Sequence, residues 1–377
     1  MHIPDGYLSP STCAALYISA APFWYVALQR VKRQLNTRLV PLLSVFAAFS
    51  FVVMMFNLPL PGGTTGHAIG IGIATVVLGP WAAMLAVSVA LLIQAIFFGD
   101  GGITTFGANS FNMAIVGSLV AYAVYRVVAG SAALTSVRRV VAASLAGYAA
   151  INAAALCAAI EFGIQPMLFV DRTGAPLYAP YPLGIAIPAM MIGHLTFAGL
   201  AEMIVSGGVV AYLQRADVSL LKPTAPRAIK MERSAESVVA IYRSGWNATR
   251  GLWIGLAALM ILTPLGLLAA GTAWGEWKAQ DFGDHEARKQ IAVVSGNQTP
   301  PTQPPQGLAH LSSIWTAPLS GYAPPFMQGA AFGYILSAMI GVGLIILTFL
   351  FISRFTRRAS PRRHSADAAD SETSATN

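Results

Sequence analysis

Apolar residues along this chain do not alternate with polar ones; they run in continuous blocks broken by short polar stretches. The blocks lie at about residues 11–28, 39–56, 68–78, 81–98, 111–128, 140–162, 183–213, 252–272 and 328–352. Most are long enough to cross a bilayer core as a helix of about 20 residues, and their continuity argues against a barrel, whose strands alternate. The pair at 68–78 and 81–98 is split at Gly79 and Pro80, and its first piece is short for a crossing. A short or broken helix at membrane depth is tolerated only where its ends are buried in protein or line a cavity, which points to a site at its outer end. The pattern predicts an all-α polytopic transmembrane helix bundle of about nine membrane segments, one of them short or broken.

Composition agrees. Of 377 residues, 55% are hydrophobic and 10% charged, at a mean hydropathy of +0.62, values that no soluble globular class reaches. The net charge of +8 does not point to nucleic acid, because the basic residues sit in short stretches beside the apolar blocks. Arg30, Lys32, Arg33 and Arg38 follow the first block, Arg126 at the end of the fifth block and Arg138 and Arg139 before the sixth mark the loop joining them, and a basic tail begins at Arg354. The positive-inside rule makes these stretches cytoplasmic, with the N-terminus outside and the C-terminus in the cytoplasm of a multi-pass plasma membrane protein. The N-terminus lacks the basic region of a cleaved signal peptide. Cys13 and Cys157 fall within predicted spans, without metal-type spacing, and read as packing residues. Shifts in composition divide the chain into a first transmembrane module at 1–213, a basic cytoplasmic linker at 214–250 and a two-span module at 251–353 with an outer segment at 273–326. A disordered basic and polar tail occupies 354–377.

Enzyme chemistry finds little support. No GxxxxGK[ST], HExxH or GxSxG run occurs, and the spans hold no paired carboxylates. The chain cannot by itself be a P-loop ATPase. Nitrogen donors are the stronger signal. In MHIPDGYL at the start of the chain, the terminal amine, the amide nitrogen of residue 2 and the His2 imidazole lie along one short chelate. His67, in PGGTTGHAIG, would complete a planar set of four nitrogens, a coordination that suits nickel(II) or copper(II). The bulk of His2 should also leave Met1 uncleaved. The plainer readings are that His2 is an accident of an exposed terminus and His67 a turn residue.

Other polar residues each carry two readings. Asp5 is a turn residue or an anchor for the terminal segment, and Asn109 and Asn112 cap the fifth span or orient the terminal segment and the His67 ring from outside the ligand set. His194 and Glu202, about 80° apart around one helix, form a relay, or else His194 is a hydrogen-bonded core residue and Glu202 lies near the cytoplasmic end in reach of water. Ser11, Ala15 and Ser19 recur every four residues along the first span, a spacing for close internal packing or for docking a partner subunit. Asp281, Asp284, His285, Glu286, Arg288 and Lys289 read as a solvated mixed-charge stretch, His310 likewise, and His364 as inert.

Three motifs in order, MHIPDGYL, GGTTGHAIG and GDGGITTFGANSFNM, resemble the membrane-embedded substrate-capture (S) subunit of energy-coupling-factor nickel/cobalt transporters, the CbiM/NikM type, over about residues 1–213. PPQGLAHLSSIWTAPLSGYAPPF at 304–326 resembles their accessory two-span NikN-type component, with Gln306 and Ala309 in place of the two acids of its Pro-Asp-Gly-Leu-Glu run. The resemblance implies a fused subunit that binds Ni(II) or Co(II) as transported substrate through Met1, His2 and His67. It also implies work in the bilayer with a transmembrane coupling subunit and cytoplasmic ABC-type ATPases. Two rival readings are an autonomous secondary divalent-metal transporter and a membrane metal sensor.

Overall fold

The computed structural model describes residues 1–34, 39–225, 246–269 and 271–358. Arg38, most of the linker and the tail beyond Arg358, His364 included, lie outside the described residues.

The continuous apolar blocks fold as helices, and the molecule is a polytopic helical bundle. Among the described residues seven helices are long and apolar enough to cross a membrane, at Pro10–Arg33, Pro80–Phe98, Phe106–Ala129, Val137–Leu168, Leu183–Ala216, Arg250–Leu268 and Ala330–Arg354. A shorter apolar helix covers Leu39–Met54, and the eight-residue helix Ile71–Leu78 is buried along its whole length. In chain order these are α1 (Pro10–Arg33), α2 (Leu39–Met54), α3 (Ile71–Leu78), α4 (Pro80–Phe98), α5 (Phe106–Ala129), α6 (Val137–Leu168), α7 (Leu183–Ala216) and α8 (Arg250–Leu268). The segment between the last two long helices adds α9 (His285–Val294) and α10 (Gln306–Leu311), and α11 is Ala330–Arg354.

The break at Gly79 and Pro80 separates α3 from α4. Gly79 sits at φ 77°, where a side chain would be strained, and Pro80 opens α4 at the position where its missing N–H costs nothing. The stretch before His67 is a short hairpin. Its strands β1 (Leu58–Leu60) and β2 (Thr64–Gly66) pair antiparallel across Gly62 and Gly63, both at positive φ. Thr65 continues the pairing onto the second module, its N–H donating to the Thr272 carbonyl at 3.2 Å.

α6 is the central post, packed on α5 and α7 through small residues such as Ala142, Ala146, Ala150 and Ala154. A Cβ added at Gly147 would lie 2.6 Å from Ser206 Oγ on α7, so the close approach depends on that glycine. Three helices carry π-helical segments, at Gln94–Phe98, Ser110–Val116 and His194–Ala198. Such segments recur beside functional sites.

Candidate metal centre

Chain ends ordinarily fray; this one is packed like a core. Met1, His2, Ile3 and residues 6–9 are all buried. Main-chain and side-chain bonds to three distant parts of the chain hold the segment. Ile3 N–H donates to Asn109 Oδ1 at 2.8 Å, and Asn109 Nδ2 donates back to the Ile3 carbonyl at 3.0 Å. Asp5 accepts from Ile103 N at 3.1 Å, from Thr104 N at 2.7 Å and from the Thr104 hydroxyl. Ser9 N–H donates to Gln165 Oε1 at 3.0 Å. Gly102 is where the loop after α4 meets the terminus, and a Cβ there would lie 2.4 Å from Asp5 N.

The His2 and His67 rings stack with centroids 4.9 Å apart and planes inclined by 25°. His67 Nδ1 lies 3.0 Å from the Ala68 carbonyl. A carbonyl only accepts, so Nδ1 carries the hydrogen and Nε2 the lone pair. The Nε2 atoms of His2 and His67 are both buried without a hydrogen-bond partner. Burial first, then His2 and the terminal amine, hold the His67 imidazole well below the usual histidine range, so the ring is neutral. No group of three or more His, Cys, Asp or Glu side chains among the described residues is arranged to hold a metal ion. What the site offers is main-chain nitrogen beside imidazole.

Three groups that sequence reasoning did not single out complete this corner. Asp100 Oδ1 pairs with His2 Nδ1 at 2.7 Å, and Asp100 Oδ2 accepts from the Tyr322 hydroxyl at 2.6 Å. Burial raises the Asp100 pKa, but His2 beside it and the Tyr322 hydrogen bond outweigh it and leave the carboxyl well below its ordinary range. Glu276 Oε1 lies 3.0 Å from the Met1 amine. Glu276 and Tyr322 belong to the second module, so both modules build the site. The signal for Asp100 was its position, an acid between glycines at the end of an apolar helix. Glu276 and Tyr322 carry no such mark.

The remaining candidates sort themselves. Asn109 and Asn112 do not cap α5, which begins three residues before Asn109, because both side chains serve tertiary contacts. Asn112 Nδ2 donates to Glu161 Oε2 at 2.8 Å and does not turn to the terminal segment. His194 and Glu202 form no relay. His194 Nδ1 bonds the Met190 carbonyl at 2.8 Å. Glu202 is not near water at the cytoplasmic end: it is fully buried and accepts from Ile69 N at 2.7 Å, Gly70 N at 2.8 Å and Gly72 N at 3.1 Å. It therefore binds the N-terminus of α3, just after His67, where aligned N–H groups favour an anion. Ser11, Ala15 and Ser19 are exposed along α1. Cys13 and Cys157 are free thiols, the first buried and the second half-buried. Asp281 and Asp284 cap local turns, His285 and Glu286 pair in solvent with Lys289 bonded to Glu286 at 2.9 Å, Arg288 donates to the Phe282 carbonyl at 3.1 Å, and His310 is exposed.

Fold and site together define a polytopic membrane protein whose buried amino terminus closes, with two imidazoles, a nitrogen-rich centre. The chain belongs to the family described as cobalt uptake substrate-specific transmembrane region, whose model matches residues 2–220, and a PDGLE domain matches residues 249–358. It is 57% identical to the fused nickel transport protein NikMN of Rhodobacter capsulatus over 92% of this chain and 95% of that one. A probable fused nickel transport protein, LarMN of Lactiplantibacillus plantarum, is 41% identical over 92% of this chain and 96% of its own. A crystal structure of a transition metal transporter superposes with a TM-score of 0.54 at 46% identity, covering 63% of this chain and 100% of that one. In the PDGLE domain, the run with Gln306 and Ala309 in place of acids meets the terminus through its backbone. A Cβ at Gly6 would lie 2.7 Å from Leu308 Cα.

Proposed function

We propose that this chain is the substrate-capture component of a nickel uptake transporter. On this reading it binds Ni(II) at the outer side through the Met1 amine, the His2 amide and imidazole, and the His67 imidazole. The observation that carries it is the burial of two stacked imidazoles, that of His67 with an unpartnered Nε2, beside the buried first residue of the chain. Metal–nitrogen bonds of about 2.0–2.1 Å put the centroids of two imidazoles on adjacent corners of a square about 4.4 Å apart. The observed 4.9 Å is near that value and short of the separation that opposite corners require. Nickel is preferred to cobalt because the fused relatives carry nickel in their names. The division into a capture module at 1–213 and an accessory module at 251–353, joined by a cytoplasmic linker, belongs to the same proposal. So do a plasma-membrane location with the N-terminus outside, and a separate coupling subunit and cytoplasmic ATPases.

Fused chelate rings close through Nδ1 of His2, the atom now paired with Asp100. Capture therefore exchanges Asp100 for the ion at this nitrogen, and before capture Asp100 holds the ring in place. Asp100→Asn is expected to lower nickel affinity about 10–100-fold, the usual effect of losing a group that orients a ligand; a titration matching wild type counts against this role. Capture is also expected to weaken as pH falls, because amine and amide must each give up a proton to bind. His67, already neutral, contributes nothing to that loss. Calorimetry in buffers of different ionisation enthalpy reads the protons released, and binding without release contradicts the ligand set.

X-ray absorption at the nickel edge tests the centre itself, on protein purified with its native metal. A planar four-nitrogen spectrum is the expected result, and a sulfur or oxygen shell overturns it. Uptake by vesicles holding this chain alone, driven by a proton gradient without ATP, would point to a secondary transporter instead.

A further inference from the structure

Between the two modules lies a partly enclosed cavity of about 550 Å³, walled by Thr65, Met190 and His194 on one side and by Trp274 and Gln298 on the other, with Met1 on its lining. Six waters at about 30 Å³ each occupy about 180 Å³, so the cavity admits a fully hydrated divalent ion. The centre beside it does not, because Met1, His2 and His67 are each 5% exposed or less. An ion passing from one to the other must exchange water for protein ligands on the way.

His194 lines that cavity. Its Nδ1 is committed to the Met190 carbonyl, so Nδ1 carries the hydrogen and the lone pair is on Nε2. That Nε2 is buried and has no partner, although the ring is 97% buried, its relative exposure being 3%. A merely structural histidine would be expected to satisfy both nitrogens. The residue opens the π-helical segment His194–Ala198, which packs directly on both strands of the hairpin that ends one residue before His67. Ala198 Cβ lies 3.7 Å from where a Cβ on Gly66 would be. Neutral imidazole is a good ligand for nickel and its neighbours in the transition series.

We infer that His194, a residue of this cavity's lining, offers its unpartnered Nε2 as a loading site for a divalent transition-metal ion, which it holds weakly and passes to the centre formed by Met1, His2 and His67. This rests on the capture reading above, and the test separates the two. Nickel chloride is titrated into the full chain carrying His67→Ala, alone and combined with His194→Gln. Gln keeps an N–H for the Met190 carbonyl but has no imidazole lone pair. The first variant is expected to retain one weak nickel site, and the second to lose it by at least about tenfold, with unchanged thermal melting. In the wild-type background, His194→Gln slows nickel association while equilibrium affinity holds. Failure of the wild-type chain to bind nickel refutes the capture reading. A wild-type chain that binds, with no residual site after His67→Ala or one indifferent to His194, refutes the loading site alone.

Discussion

One residue added ahead of Met1 is expected to abolish nickel capture by the full chain. The addition turns the terminal amine into an amide and moves the amine one residue away, so the terminal donors no longer leave the fourth corner to His67. It also shifts the five-membered chelate ring onto the wrong atoms. Space works in the same direction: Met1 is 2% exposed, and its amine faces Glu276 at 3.0 Å. An extended chain must push Glu276 aside or withdraw the terminus from its bed. His67→Ala removes the fourth nitrogen without touching the terminus. Both changes should cost more than the about 100-fold that marks the upper end for groups outside the ligand set. Isothermal titration with nickel chloride checks both, with thermal melting to show that the bundle is intact. An extended chain that keeps wild-type affinity ends the chelate account.

The helices were legible because burial in lipid or in the bundle demands continuous apolar sequence, and that demand is local. The break before α4 was equally plain, since Gly79 and Pro80 carry backbone constraints that any reader of the sequence can see. The nitrogen donors were legible for a chemical reason: an amine, an amide and an imidazole at the very start of a chain are adjacent whatever the fold. What surrounds them was not. Glu276 meets Met1 across 275 residues of sequence, and Tyr322 meets Asp100 across 222. Pairings of that span leave no periodicity, and in a module with other exposed acids Glu276 looks like one more solvated charge. The hairpin before His67 was hidden because its strands are three residues each, too short to alternate visibly. Asn109 and Asn112 look like caps because the helix begins earlier than its apolar face does.

Glu202 shows how an ionisable residue can be found by sequence and still be misplaced, and it gives the second large effect. Its expense at membrane depth marked it as a functional candidate, but its partners are backbone N–H groups that no side-chain pattern reveals. Oε2 accepts from Ile69 and Gly70, and Oε1 from Gly72 and, at 3.3 Å, the Ser206 hydroxyl. The carboxylate thus closes the turn between His67 and α3, where Gly70 sits at φ 75° and the helix has no side-chain cap of its own. Glu202→Ala leaves three buried donors unpaired, each worth about 1–3 kcal/mol, a large share of the about 5–15 kcal/mol that holds a typical protein folded. The variant is expected to melt at markedly lower temperature and, where it remains folded, to bind nickel weakly, because the loop bearing His67 has lost its anchor. Glu202→Gln should fall between, since one of its two oxygens becomes an amide that faces a donor with a donor. If Glu202→Ala melts and titrates like wild type, the carboxylate does not hold this loop, and the position of His67 must be set by the hairpin alone.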